Sequence, residues 1–145
     1  GNIIVCDKAQ EAAKGDVVVS VTLAKDGFIK SEWIEKGTVY FPMGSYQECD
    51  YETILQADKI IVDHVDQCLH RGALKELADQ GKIGRDNIYC TIGDLAVGRN
   101  TADNFKNERV LCVPIGTGAM DVAVAATVYK KAVSLSMGDE FAFDI

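Results

Sequence analysis

The stretch VLCVPIGTGAMDVAVA, residues 110–125, places an apolar strand-like run, a glycine-rich turn and the start of a helix in succession. The same succession is found where a dinucleotide-binding domain holds the phosphates of its ligand. There the glycines allow a tight turn, a close approach of the backbone to the pyrophosphate, and close packing of the helix on the strand. The identity of this turn decides how the rest of the chain is interpreted.

Asp121 stands where the third glycine of such a turn belongs. A carboxylate in the first turn of a helix uses the same unpaired N–H groups that a phosphate would use, so the acid competes with an anion. An acid that binds a ribose is expected roughly 20 residues further on, at the end of a second strand. Here Asp139 and Glu140 follow the helix directly. We therefore interpret the stretch as a capped helix start that lines a cleft at the carboxyl edge of a sheet, and not as a pyrophosphate site.

Short runs rich in β-branched residues alternate with helical or loop segments along the chain. They are apolar throughout, which is typical of strands covered on both faces by helices. This alternation predicts a single α/β domain over residues 1–145, with a parallel sheet and right-handed crossovers. The predicted strands are IIVC (3–6), VVVSVT (17–22), TVYFP (38–42), KIIVDH (59–64) and RVLCVPI (109–115), with further strand character in FAFDI (141–145).

Composition excludes several classes of protein. The chain has 145 residues, 48 % of them hydrophobic, and a net charge of −7 without a basic cluster, which disfavours nucleic-acid binding. No apolar run approaches the ~20 residues of a membrane span. The five cysteines contain no CxxC pair, so we expect reduced thiols in a cytoplasmic protein. His64, Cys68 and His70 lack the spacing of metal ligands, so no metal is expected.

The chain resembles the ornithine cyclodeaminase/mu-crystallin family in the order and spacing of several stretches. That family combines an N-terminal substrate and dimerisation domain with a Rossmann domain that binds a nicotinamide cofactor. The resemblance covers most of residues 9–138. The matching stretches are EAAKGDVVVSVT, SEWIEKGTVYFPMGS, ADKIIVDHVDQCLHRGAL, IGDLAVGR and VPIGTGAMDVAVAATVYKKA.

The resemblance begins late in the family's Rossmann domain, because it places IIVC at the third strand. It therefore implies a partial, doubly wound, mostly parallel sheet with flanking helices that lacks the first two strands. The strand with the true GxGxxG turn and the substrate domain would precede this chain, whose opening Gly-Asn without a methionine suggests a piece of a longer polypeptide. We expect residues 3–6 to pair directly with VVVSVT, or else with another chain.

The resemblance also implies a set of cofactor contacts at the strand ends, where open α/β sheets bind their ligands. Thr22 matches a threonine beside the cofactor. Met43, Gly44 and Ser45 match a loop along the ribose and nicotinamide, and residues 114–116 match a segment under the nicotinamide, within which Ile115 and Gly116 are the predicted contacts. The alternative is that small residues stand there only for turn geometry. NAD and NADP are not distinguished, because the deciding acid would lie upstream.

The loop GSYQECDYE departs from the family pattern. Tyr46 occupies the place where the family presents its proton-accepting aspartate. Glu48 and Asp50 are the catalytic candidates, because either carboxylate could bring a proton acceptor to the same space. The alternatives are that both are solvated loop acids, or that Asp50 is the N-cap of YETILQA. Pro114, where a polar residue is usual, further disfavours ornithine cyclisation relative to amino-acid or imine oxidoreduction.

Two functions follow from the resemblance. The first is a cofactor-binding part of an ornithine cyclodeaminase-like or amino-acid dehydrogenase-like oxidoreductase, which passes a hydride between a small amino acid and NAD or NADP. The second is a non-catalytic module of mu-crystallin type that holds NAD(P)H or a small ligand. A homodimer is one expected assembly. The chain alone is expected to be catalytically silent, because it lacks the groups that hold the pyrophosphate. Arg71 is either an anion ligand or a solvated surface residue.

Overall fold

The computed structural model describes residues 1–139 and 141–142. Gly1–Ile115 form one compact unit that contains the sheet, and the residues from Gly116 onward form a second unit that contains the longest helix. The strand predicted at 141–145 lies mainly outside the described residues. Within the described ranges, no helix combines the length and the apolar character needed to cross a lipid bilayer.

Over the described residues the sheet has five strands in the order β1-β2-β5-β3-β4, and each pair of neighbours is parallel. This confirms the predicted parallel α/β class. In parallel strands the carboxyl ends lie at one edge of the sheet, so the loops that follow the central strands meet there. The strands are β1 (Val17–Ser20), β2 (Val39–Pro42), β3 (Lys59–Val62), β4 (Ile88–Thr91) and β5 (Val110–Val113).

Short helices and single 3-10 turns lie before and between the strands, and one longer helix belongs to the second unit. The helices are α1 (Ala9–Ala12), α2 (Tyr51–Leu55), α3 (Val65–His70), α4 (Lys75–Asp79), α5 (Ile92–Ala96) and α6 (Gly118–Ser134). Helix α6 has Asp121 in its first turn, but its N-cap Thr117 accepts no side-chain hydrogen bond. The predicted position of an acid in the first turn is therefore present, whereas the N-cap residue itself adds no side-chain cap.

Two apolar clusters pack on the opposite faces of the sheet. The side chains of a strand alternate between faces, and β5 accordingly places Leu111 and Val113 in the larger cluster and Val110 and Cys112 in the smaller one. The larger cluster includes residues of α2, α3 and α4, whereas α5 contributes to the smaller one. The sheet is therefore flanked by helices on both faces, as predicted. All five cysteines are free thiols, and four of them are buried.

Residues 3–6 form no strand, and the predicted pairing of this run with β1 is wrong. Ile3, Ile4 and Val5 are 94 %, 82 % and 89 % exposed. Only residues 7–16 join the run to β1, whereas a crossover between parallel neighbours needs a dozen or more residues. As a result β1 has β2 as its one neighbour in the described sheet, and its outward-facing Val17 and Val19 are exposed.

Strand β4 was not predicted from the sequence. Its residues IYCT (88–91) are half-buried except for Cys90, and β4 pairs with β3 alone at the edge of the sheet. A four-residue run of mixed polarity carries little periodic signal of its own. These residues form a strand because they pair with β3.

Candidate functional site

A cleft of about 290 Å³ opens at the carboxyl edge of the sheet. Parallel strands β2 and β5 are direct neighbours, and the residues that follow them form two of its walls. The segment after α3 forms a third wall. The cleft is lined mainly by small or apolar residues, with one arginine: Pro42, Met43, Gly44, Ser45, Arg71, Gly72, Ala73, Val113, Pro114 and Ile115.

The structure brings four of the six predicted cofactor-contact residues to this cleft. Met43, Gly44 and Ser45 lie after β2, and Ile115 lies after β5. Thr22 follows β1 and is joined to Gly44 through the shared carboxylate of Glu48. Gly116 belongs to the second unit, where its φ of +78° is in the left-handed region that favours glycine.

Glu48 is the most enclosed charged residue near the cleft, with 0 % of its surface exposed. Its Oε1 accepts hydrogen bonds from the backbone N of Thr22 at 2.6 Å and from Thr22 Oγ1 at 2.7 Å. Its Oε2 accepts from the backbone N of Gly44 at 2.6 Å and from Ser20 Oγ at 2.8 Å. Tyr40, in the core, places its hydroxyl 2.8 Å from Ser20 Oγ. One carboxylate therefore joins the ends of β1 and β2.

The donors around Glu48 keep its carboxyl group ionised. Burial acts to raise the pKa of Glu48, but the hydrogen bonds from Thr22, Gly44 and Ser20 outweigh burial and hold the pKa below its usual value. A carboxylate that accepts several N–H and O–H bonds loses them partly when it is protonated. A proton taken up by Glu48 would therefore cost the site its hydrogen bonds.

Asp50 is the N-cap of α2, as one of the two predictions for it states. Its Oδ1 accepts from Thr53 N at 2.9 Å and from Thr53 Oγ1 at 2.7 Å. Its Oδ2 accepts from Ser31 N at 3.4 Å. A catalytic role of Glu48 or Asp50 stays a prediction, and both carboxylates already accept hydrogen bonds from backbone N–H groups.

Asp63 is a functional candidate that the sequence reasoning missed. It directly follows β3, and its Oδ2 accepts from the backbone N of Ile115 at 3.1 Å. Cys68 Sγ lies 3.3 Å from both Asp63 Oδ1 and the carbonyl oxygen of Val113, so its single S–H is shared between these two acceptors. The available signal was its position in the sequence, since Asp63 directly follows the apolar run of β3. Asp63 therefore holds the cleft segment after β5 in place.

Arg71 and Gly72 both lie against Ile115, in the cleft segment that follows β5. Arg71 Nη2 donates to the carbonyl of Ile115 at 3.2 Å. Gly72 has a φ of +74°, and a Cβ there would lie 3.2 Å from Ile115 Cγ2. Both the N–H and the carbonyl of Ile115 are thus bound by side chains. The prediction that Arg71 binds an anion stays a prediction.

Tyr46 is half exposed in the loop after β2, and the Lys25 ammonium lies 5.7 Å from its ring centroid. This side chain occupies the loop position where the resemblance expects an acid. Among the described residues, no group of three His, Cys, Asp or Glu side chains is placed to bind a metal ion. The chemistry available at the cleft is that of backbone groups, apolar walls, one arginine and the hydroxyl group of Ser45.

A nicotinamide ring fits the character of the cleft. The cleft volume of about 290 Å³ is sufficient for a flat ring and part of its ribose, and ligand pockets of this kind combine apolar walls with a few polar groups. At Gly44 the backbone has no space for a Cβ, which would lie 2.4 Å from Glu48 Cδ. A side chain at this position would therefore displace the Glu48 carboxylate or the loop itself.

Comparison with known proteins gives one family and a consistent set of relatives. The family model described as ornithine cyclodeaminase/mu-crystallin family matches residues 1–136. The chain is 34 % identical to an alanine dehydrogenase of Archaeoglobus fulgidus over 139 residues, which is 93 % of this chain and 43 % of that protein. It is 30 % identical to the ketimine reductase mu-crystallin of Rattus norvegicus over 136 residues, which is 90 % of this chain and 41 % of that protein.

A solved structure of an archaeal alanine dehydrogenase dimer with bound NAD has the same fold over the matched part. The TM-score is 0.81 at 32 % sequence identity, and the match covers 94 % of this chain and 44 % of that one. The chain therefore spans less than half the length of each of these three proteins.

Proposed function

Because the chain belongs to the ornithine cyclodeaminase/mu-crystallin family, we propose that it forms the nicotinamide-facing part of an NAD(P)-binding domain. The intact protein would be an oxidoreductase that moves a hydride between the nicotinamide and the α-carbon of a small amino or imino acid. The observation that carries the proposal is the cleft between the ends of β2 and β5, where Met43, Gly44, Ser45 and Ile115 meet.

The cleft residues would hold the cofactor by shape and by backbone groups. The loop of Met43, Gly44 and Ser45 would lie along the ribose and nicotinamide, with Pro114 and Ile115 against the ring. The cofactor supplies the hydride chemistry. The chain's own contribution is to fix these walls, through Glu48 on one side and Asp63 on the other, and to exclude water with apolar side chains.

The substrate and the assembly of the intact protein are further parts of the proposal. Two relatives are named for alanine dehydrogenation and ketimine reduction, and both reactions change the oxidation state at the carbon that bears nitrogen. A small amino or imino acid is therefore the proposed substrate class. The archaeal structure is a dimer, which supports a homodimer as the proposed assembly.

A non-catalytic NAD(P)H-binding module is the second candidate. Tyr46 favours it, because the family's proton-accepting aspartate is replaced there by a phenol. The likeness to mu-crystallin does not favour it, since that relative is itself named a ketimine reductase. Both candidates require nicotinamide binding at the cleft and differ only in turnover.

Titration of NADH by its own fluorescence tests the proposal on this chain. Met43 and Leu55 are matched sites, 45 % and 43 % exposed, and Met43 lines the cleft whereas Leu55 lies on α2. Met43→Glu should weaken NADH binding about tenfold or more, which corresponds to about 1.4 kcal/mol, because it places a charge in an apolar wall. Leu55→Glu should leave binding unchanged. Equal effects of the two changes would overturn the proposed site.

Turnover is the separate question. The chain alone should bind NADH without oxidising it when small imino acids are added, because the groups that hold the pyrophosphate and substrate are not among residues 1–145 in this proposal. Substrate-dependent oxidation of NADH by the chain alone would contradict that part. In the intact protein, oxidation with a small imino acid supports the oxidoreductase, and binding without oxidation supports the module.

A further inference from the structure

Among the acidic residues that the structure describes, Glu48 is unusual because it is fully buried. Its four hydrogen bonds come from two different strand ends, with Ser20 and Thr22 on the β1 side and Gly44 on the β2 side. Burial of a carboxylate is costly unless its oxygens are hydrogen-bonded. The fold therefore keeps a carboxylate whose burial is unfavourable at the point where it connects the loops after β1 and β2.

The two backbone donors lie beyond the regular strands. Strand β1 ends at Ser20 and β2 ends at Pro42, so the N–H groups of Thr22 and Gly44 are outside the sheet ladder. Met43 N still donates to the carbonyl of Ser20 at 2.8 Å. At the next residue, the N–H of Gly44 donates to Glu48 Oε2 at 2.6 Å instead of to the backbone of β1. The carboxylate extends the join between β1 and β2 past the last ladder bond.

We propose that Glu48 is a positioning residue whose carboxylate ties the end of β1 to the end of β2 and so fixes the cleft wall of residues 43–45. It does so by holding the N–H groups of Thr22 and Gly44 on its two oxygens. The significance for cofactor binding rests on the function proposed above, whereas the tie itself does not. In this role Glu48 exchanges no proton with a substrate.

The geometry separates this role from that of a proton acceptor. A general base needs an oxygen within hydrogen-bond reach of its substrate, and each oxygen of Glu48 already accepts two bonds at 2.6–2.8 Å. Gly44 stands between the carboxylate and the cleft, since a Cβ at Gly44 would touch both Glu48 oxygens at 2.7 Å. The carboxylate thus lies behind the cleft wall that it holds.

Amide hydrogen exchange of the unchanged chain gives the first test. Free loop amides exchange rapidly, whereas amides in stable hydrogen bonds are protected. We expect protection of the Thr22 and Gly44 amides comparable to that of the β2 amides, although both residues lie outside the strands. Rapid exchange at both amides would overturn the proposal, and this measurement needs no variant that folds.

The variants Glu48→Gln and Ser20→Ala form a matched pair. Glu48→Gln replaces one acceptor oxygen by an NH₂ group, which faces an N–H donor, whereas Ser20→Ala removes one donor and leaves both backbone bonds to Glu48. With a charged hydrogen bond lost, exchange at Thr22 or Gly44 should accelerate about tenfold or more in Glu48→Gln. NADH binding should weaken by a similar factor. In Ser20→Ala, which also loses the contact with Tyr40, stability should fall while these amides and NADH binding change little.

The possible outcomes separate the tie from the proposed function. If the Thr22 and Gly44 amides lose protection in Glu48→Gln but the unchanged chain does not bind NADH, the tie is supported and the proposed cofactor site is contradicted. Unchanged protection and unchanged NADH binding in Glu48→Gln would overturn the tie. If Glu48→Gln keeps protection and binding but abolishes turnover in the intact protein, Glu48 is a proton acceptor and the proposal is wrong.

Discussion

Replacement of Gly44 by alanine introduces one methyl group where the chain has no space for it. An ideal Cβ at this position lies 2.4 Å from Glu48 Cδ and 2.7 Å from each Glu48 oxygen. Carbon atoms that are not bonded prefer a separation of about 3.5–4.0 Å. Either the carboxylate or the loop must therefore move by about 1 Å.

The cost follows from the bonds that this movement breaks. Glu48 accepts four hydrogen bonds of 2.6–2.8 Å, and a shift of about 1 Å takes the affected ones beyond hydrogen-bond distance. A hydrogen bond to a charged group contributes about 1.5–3 kcal/mol, and an overpacked methyl costs about 1–3 kcal/mol. Partial relaxation of the loop prevents loss of all four bonds. We expect Gly44→Ala to lower the free energy of unfolding by about 2–4 kcal/mol.

Thermal unfolding followed by circular dichroism measures this effect. For a domain of this size, each kcal/mol shifts Tm by about 2–4 °C, so Gly44→Ala should lower Tm by about 10 °C. Gly93→Ala is the matched control, because a Cβ there meets only Thr91 Oγ1 at an ordinary 3.5 Å. Gly93 also lies in α5, where alanine is favoured over glycine by up to about 1 kcal/mol.

A Tm of Gly44→Ala within about 2 °C of the unchanged chain would refute the reasoning. It would mean that the carboxylate does not occupy the space beside Gly44. Equal destabilisation by Gly44→Ala and Gly93→Ala would also refute it, because the effect would then belong to any loss of glycine.

Three further predictions concern the same cleft walls. Tyr40→Phe removes a buried hydroxyl that lies 2.8 Å from Ser20 Oγ, so urea unfolding should show a loss of about 1 kcal/mol, and an unchanged midpoint would contradict this. Asp63→Ala removes the acceptor for the N–H of Ile115, so amide exchange at Ile115 should accelerate about tenfold or more while Thr22 keeps its rate. The pKa of Glu48 is lower in the folded chain than its usual 4.5, so its contribution to stability is full above the unfolded pKa and is lost as the pH falls through the folded pKa. Urea unfolding between about pH 3 and pH 6 should therefore show a smaller loss on acidification in Glu48→Gln than in the unchanged chain, and equal slopes would contradict the prediction.

The sequence carried most of the fold because buried parallel strands have a direct sequence pattern. Strands β1, β2, β3 and β5 each lie within an apolar run that predicts them. The same pattern failed at residues 3–6, where an equally apolar run has no neighbour that its short connection can reach. It failed again at β4, a four-residue run of mixed polarity that carries little periodic signal of its own. In both cases the neighbouring strand, and not the local sequence, decides the structure.

The position of the cleft could be predicted from the sequence, but the hydrogen bonds of Glu48 that hold its wall could not. The carboxyl ends of the strands and the resemblance together indicated Met43, Gly44, Ser45 and Ile115. The burial of Glu48 was not visible, because its donors Ser20 and Thr22 lie 28 and 26 residues away in the chain. An acid in a polar loop such as GSYQECD is most simply interpreted as solvated or catalytic. Only the fold shows that donors surround it.

The central claim is that the carboxyl ends of β1, β2 and β5 form the nicotinamide-facing half of a cofactor site. Chemical-shift mapping of the labelled chain with the two halves of the cofactor tests it most directly. Nicotinamide mononucleotide should shift the backbone amides of Thr22, Gly44 and Ile115, and adenosine monophosphate should leave them unchanged. Equal shifts with both compounds, or shifts by nicotinamide mononucleotide confined to the opposite edge of the sheet around Trp33 and Lys36, would contradict the claim.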